Sequence, residues 1–478
     1  MYCNKEAKSL DYYLELPPRS IVFVFDLQHQ GLKLVNEAKK RGFKVYDKKY
    51  NVKDVDYIIA FVTGQTSKHV RTIRLSNGTL LIDYNSFDSI SKEETITEEE
   101  MKCVATCIIN YCGGESEICA SYGVFTGNSI IAKLLDPLVT RASTFLYPIE
   151  KENYSILHDA RHGGCNLLLK PRQLIPHELH LDYHQMYGYI LKNNKFPNGM
   201  PKVVDGYYEH PFAIYCISPL CKAKARVKPH RGFSIIPRTD AAGGTIGDDG
   251  QWFNVADEIT SICDPDLKLF LENYEVDGSL DILCTMYYPA TFNGEEHFGK
   301  LTDSIYNNRQ LYKGHPAERF FKTLNEVLPG HFQQEGHRAN IWINNCGKIG
   351  NFKTLDRNPK VGIFITAYAR QMLNKLLHLL PHDKVIGCDT DCVFMAGIME
   401  DVPPQVVALF GPLPGQLHED GDYINVVHEA CKRYSGYDRI TGEPFKKFAG
   451  ESASGMINIY NPVADEWTRG RRKVYEKR

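Results

Sequence analysis

The sequence predicts a multidomain chain of mixed α/β and α+β class, and three observations carry that expectation. At 478 residues the chain exceeds what one ordinary core can organise, so two to four domains or subdomains are expected. Residues 20–47 alternate strand, helix, strand, the ingredient of an α/β layer. Farther on, Val385–Met395 sets Asp389-Thr390-Asp391 between two apolar runs, the pattern of a β-hairpin whose tight turn carries two carboxylates. Carboxylates placed that way suit a hard divalent cation that also takes water and phosphate oxygens, although most Asp-x-Asp turns are simply solvated.

Composition narrows the classes. Hydrophobic residues make up 43% and charged residues 24%, as in ordinary globular proteins. No apolar run approaches the roughly 20 residues of a membrane span, and Met1–Glu6 does not read as a signal peptide, so a cytoplasmic, membrane-free setting is expected. Fourteen cysteines without a Cys-x-x-Cys pair point to reduced thiols. The quartet Cys103, Cys107, Cys112 and Cys119 has apolar neighbours and reads as helix core rather than a metal site. The net charge of −2 gives no bulk signal for nucleic acid, which leaves room for a local basic cleft. The basic tail Trp467–Arg478 fits a phosphate contact or a solvated end.

In order, strands are expected at 21–25, 43–46, 55–62 and 79–82, with helices over Leu32–Arg41, closed by Gly42, and near Glu98–Tyr111. A short strand then delivers Asp182 to its end, and Tyr187 opens a helix five residues later. His180 and His184 flank Asp182 at i±2 and would share its face, so a His-x-Asp-x-His metal site competes with two ordinary polar contacts. Gly243–Gly250 lacks the Gly-Lys-Ser/Thr ending of a phosphate loop and reads as a mobile hairpin loop. A helix over Pro316–Leu328 presents Arg319 and Lys322 together at i, i+3, and a long helix runs from Gly362 through Leu380 into the hairpin.

Taken together, Asp182…Tyr187, Lys322, Gly362–Arg370 and Cys388-Asp-Thr-Asp391 resemble the family B DNA polymerases, in particular the protein-primed branch of small tailed phages and linear plasmids. Asp182-Tyr-His-Gln-Met-Tyr187-Gly, with Phe196-Pro-Asn-Gly-Met-Pro201 after it, is similar to the first motif, Asp-x-x-x-Leu-Tyr-Pro. Lys322, Gly330 and Phe332 keep places of the second, where Glu326, Val327 and Pro329 replace Asn, Ser and Tyr. The matches span about 160–396.

That resemblance implies a right-hand polymerase of palm, fingers and thumb behind a ribonuclease H-like exonuclease-type domain. It implies an exonuclease-like part at 1–160, palm with a priming-protein-type insertion (about 203–272) over 161–290, and fingers with a shortened second insertion over 291–350. Palm with the catalytic hairpin would follow over 351–425, and a reduced thumb with the basic tail over 426–478. It implies two Mg²⁺, with Mn²⁺ as a substitute, held by Asp182, Asp391 and Asp389, and Lys322 as a further catalytic group. Tyr187, Tyr183, Lys322 and Arg319 would bind the nucleotide, with Tyr187 excluding a 2′-hydroxyl. Gly163, Gly164, Arg370, Lys446 and Lys447 would bind DNA. Template–primer DNA and dNTPs are the implied partners of a monomer in a host cytoplasm, with a terminal priming protein as a further one.

Departures from the family carry their own expectations. Asp26-Leu-Gln-His-Gln30-Gly31 stands where the exonuclease motif Asn-x-x-x-Asp-Gly would fall, and Cys107 takes the place of a later acid. The opening Asp-x-Glu is missing, so proofreading is expected to be lost. His162-Gly163-Gly164 follows Arg161 where the branch carries Tyr-x-Gly-Gly. The Lys-x-Tyr motif of the thumb has Lys446-Lys447-Phe448 as its candidate, and a short thumb predicts low processivity. The rival readings are a catalytically weak, polymerase-derived DNA- or primer-protein-binding factor and a metallohydrolase using His180, Asp182 and His184.

Overall fold

The computed structural model describes residues 1–4, 8–24, 27–47, 60–61, 71–83, 97–111, 114, 156–237, 245–246, 250–333, 338–342, 349–353, 359–448, 456–461 and 466–471. The chain separates into two compact units. One contains Met1–Pro148 and Glu295–Pro359, the other Ile149–Gly294 and Lys360–Arg478.

In the first unit the strand Ile21–Val24 is buried at every position, which is why it reads as an unbroken apolar run. Tyr2–Asn4 and Leu80–Asp83 flank it in parallel, and Arg71–Arg74 and Lys44–Asp47 extend the sheet antiparallel. The helix Leu27–Lys40 starts earlier than its apolar spacing suggested and ends where expected. Gly42, at φ +78°, lets the Gly42 and Phe43 N–H groups bond back to Lys39 and Ala38. The helix Glu98–Tyr111 begins on a reciprocal cap, with Thr97 N–H on Glu100 Oε2 and Glu100 N–H on Thr97 Oγ1. It packs through Tyr111 on Phe320 and Phe321 of the helix Pro316–Gln333, which runs past the expected Leu328 and contains Pro329. Asp26, Cys112, Cys119 and most of Gly243–Gly250 lie outside the described residues.

The second unit is built on an eight-stranded sheet among the described residues. Its order is Thr245–Ile246, Asn166–Leu168, Val385–Asp389, Cys392–Ala396, Leu174–Tyr183, Leu417–Ala430, Arg433–Asp438, Pro444–Phe448. The helix Pro359–Leu379 belongs almost wholly to this unit. It is apolar nearly all round, with Val361, Phe364, Ala367, Leu373, Leu376 and Leu377 fully buried, so it is a core helix rather than a surface one. Residues 202–287 add a four-stranded sheet, a three-stranded sheet and the helix Asp264–Asn273. Among the described residues no helix is long and apolar enough to cross a membrane.

Candidate active site

The expected hairpin forms with Asp389 and Cys392 paired across a two-residue turn, Thr390-Asp391. Thr390 adopts φ +64°, a conformation that β-branched residues resist. Three hydrogen bonds hold the turn: Thr390 N–H to the Cys165 carbonyl at 2.8 Å, Thr390 Oγ1 to Asp389 Oδ1 at 3.0 Å, and Asp391 N–H to the Asp389 carbonyl at 2.7 Å. Two glycines give the backbone its clearance. A Cβ on Gly164 would lie 2.9 Å from Thr390 Cγ2, and one on Gly387 would lie 2.2 Å from the Leu167 carbonyl oxygen.

The sheet register then brings the acids together. Asp182 pairs across the ladder with Cys392 on one side and His418 on the other, and Tyr183 N–H reaches the Asp391 carbonyl at 3.2 Å. Burial, and next the Asp391 carboxylate, push the Asp182 carboxyl far above the ordinary carboxylate range. Burial, and next Asp389, raise that of Asp391 as well. The half-buried Tyr187 feels the same acids: its phenol is raised by burial first and Asp391 second. Asp389 is balanced differently, with Lys432 Nζ 2.8 Å from its Oδ1.

This donor set suits a hard cation. Burial and crowding both favour the protonated form of these carboxyls, and a divalent ion would displace the protons. Among the described residues no three His, Cys, Asp or Glu side chains close into an all-protein cage. An ion held by Asp182 and Asp391 would complete its shell with water or substrate oxygens.

Several site expectations change. Arg370 was expected on DNA but is only 1% exposed. Its Nε and Nη2 grip both carboxylate oxygens of Asp266 at 2.8 and 2.6 Å, and Nη1 donates to the carbonyls of His162 and Gly163. With those donors engaged inside the core, it is a clamp on the His162-Gly163-Gly164 loop. Tyr183 is turned away from Asp182. It follows Asp182 on an extended strand, so it points to the opposite face, where it is buried and its hydroxyl donates to the Met372 carbonyl at 3.3 Å. His180 is no metal ligand: its Nε2 lies 2.8 Å from the buried Glu178 carboxylate, which His428 also contacts at 2.9 Å.

Lys446 and Lys447 are exposed on an outer strand, and Lys447 Nζ lies 5.8 Å from the ring centre of Tyr434. The Lys-x-Tyr pattern itself occurs at Lys432-Arg433-Tyr434. Its lysine is the one on Asp389, and its tyrosine is buried with the hydroxyl unpartnered. Also missed were His418 and Asp420. His418 Nε2 lies 3.9 Å from Asp182 Oδ2 and 3.8 Å from Asp420 Oδ1. Lys322 and Arg319 belong to the first unit, where Lys322 and Glu326 are exposed on their helix.

No protein-family model and no curated protein matches the chain. Solved structures do. Phi29 DNA polymerase with primer–template DNA and incoming nucleotide aligns over 93% of this chain and 86% of its own, at 17% identity and a TM-score of 0.64. Its post-translocation binary complex, at 16% identity, gives 0.62 over the same shares, and its complex with single-stranded DNA, at 17%, gives 0.59. The chain therefore has the fold of the phi29 DNA polymerase.

Proposed function

We propose that the chain is a template-directed DNA polymerase that adds deoxynucleotides to a 3′-hydroxyl, or to the hydroxyl of a priming protein, and that it lacks 3′–5′ proofreading. The observation that carries this reading is the meeting of Asp182, near the end of its strand, with Asp391, in the turn of the neighbouring hairpin, in a chain with a polymerase fold. Paired divalent ions, Mg²⁺ or Mn²⁺, would supply activation of the attacking oxygen and stabilisation of the leaving pyrophosphate. Asp182 and Asp391 would hold them. Asp389, neutralised by Lys432, would orient the turn and bind more weakly.

Tyr187, beside the acids, would lie under the incoming sugar and exclude a 2′-hydroxyl. Lys322, with Arg319 on the same helix, would meet the triphosphate. Gly163, Gly164, Lys446 and Lys447 remain the proposed DNA contacts. Template–primer DNA and dNTPs follow as partners of a monomeric cytoplasmic enzyme of the protein-primed family B branch, with a terminal protein as a further partner. Loss of proofreading rests on Gln30 and the buried Cys107 standing where acids would be needed.

Extension of a labelled primer–template with Mg²⁺ and four dNTPs, beside Asp391→Ala, tests the reading, with a mismatched 3′ end incubated without nucleotides in the same series. Extension lost in the variant, with the mismatch left intact, is expected. Trimming of the mismatch would refute the loss of proofreading. DNA binding without extension in either protein would favour a polymerase-derived binding factor.

A further inference from the structure

His418 and Asp420 are not part of any motif in the sequence, yet the fold builds them into the edge of the acid site. His418 faces Asp182 directly across the ladder between Leu417–Ala430 and Leu174–Tyr183. One step on, the register slips. Glu419 pairs with Leu181 and Gly421 with His180, which leaves Asp420 as the extra residue of a bulge. Bulges re-aim side chains and recur beside active sites. Here the result is an imidazole Nε2 nearly equidistant from two carboxylates, 3.9 Å from Asp182 Oδ2 and 3.8 Å from Asp420 Oδ1.

The ring plane is fixed as well. The imidazole of His184 stacks on His418 at 3.8 Å between centres and 4° between planes. His184 N–H is in turn tied to the Gln416 carbonyl at 2.8 Å. The buried group of Glu178, His180 and His428 offers a contrast. There both imidazoles are hydrogen-bonded at 2.8–2.9 Å to a single carboxylate inside the core, a closed arrangement with no capacity left for the site. His418 is a quarter to a third exposed and stands against a carboxylate that has a task of its own.

We infer that His418, braced by His184 and shared with Asp420, is a positioning residue that sets the orientation of the Asp182 carboxylate for cation binding. This deepens the polymerase reading and rests on it. Outer-shell partners of metal ligands generally matter by about 10–100-fold in metal affinity or activity. Removing the imidazole frees Asp182 to rotate and leaves Asp420 beside it with Lys447 as a remaining counter-charge. A side-chain amide can restore a donor at the Nε2 position.

The test compares wild type, His418→Ala and His418→Gln in two assays. One is Mn²⁺ binding to the DNA-free protein followed by electron paramagnetic resonance. The other is single-nucleotide incorporation with dNTP and primer–template affinities measured separately. The inference expects His418→Ala to weaken Mn²⁺ binding about 10–100-fold and to slow incorporation similarly at fixed Mg²⁺. DNA affinity should be unchanged, and His418→Gln should recover most of both losses. Wild-type Mn²⁺ affinity in His418→Ala overturns it, as does a His418→Gln protein no better than the alanine variant. If wild type binds Mn²⁺ but incorporates nothing, the polymerase reading fails, while the binding series still decides the role of His418.

Discussion

Two clusters in the second unit hold aspartates that are balanced in opposite ways. Asp266 is fully enclosed and meets a guanidinium that grips both its oxygens. Asp182 and Asp391 are less enclosed, yet they are crowded by each other, Asp389 and Asp420, with His418, Lys447 and Lys432 as the positive or protonatable groups nearby among the described residues, and both are held well above the ordinary carboxylate range. Burial alone therefore does not mark a site; unmet charge does. The paired aspartate fixes the frame, whereas the crowded ones keep capacity for a cation brought from outside.

The comparison can be broken most sharply by removing one charged side chain from each place. Asp182→Ala is expected to reduce nucleotide incorporation by on the order of 10³-fold or more while the protein melts no lower than wild type, because a repulsion disappears with the side chain. Arg370→Ala should do the reverse to stability. It strands the buried Asp266 without its counter-charge, at a cost of about 3–5 kcal/mol, read as a large drop in melting temperature. Arg370→Lys keeps the charge but loses the two-pronged grip and should fall between them.

A pH series sharpens the contrast. The folded Asp182 and Asp391 carboxyls are raised above their unfolded values, near 3.9, so the folded state binds more protons than the unfolded one. Their contribution is fully present below the unfolded pKa and is lost as pH rises through the raised values. Without divalent cations, the melting temperature should fall as pH rises through the neutral range. Mg²⁺ should restore it, most strongly at the alkaline end, and a melt in which Mg²⁺ helps equally at every pH would contradict the assignment. The smallest expected effect is that of Gly164→Ala. Its Cβ would press on Thr390 from 2.9 Å, so incorporation should slow by about tenfold with little change in melting. An unaffected rate would show that the loop does not set the turn.

Which parts were legible in the sequence follows from the range of the interactions. The hairpin, the strand ending near Asp182 and the helices closed by Gly42 or opened by Thr97 are set by neighbours a few residues apart, and local patterns revealed them. Arg370 was misread because its partner Asp266 lies 104 residues away, and nothing local separates a buried arginine from one on DNA. That Tyr183 turns away from Asp182 was legible from the alternation along a strand. His418 and Asp420 join the site only through a strand register and a bulge, which no spacing in the chain encodes.

The central claim is that the crowded carboxylates form a cation site, and calorimetric titration tests it most directly. Mg²⁺ or Mn²⁺ would be titrated into wild type and into an Asp182→Asn, Asp391→Asn double variant, each in two buffers of different ionisation enthalpy. Wild type is expected to bind the ion with release of protons, and the double variant to lose both. Equal binding by the two proteins, or binding to wild type without proton release, would contradict it.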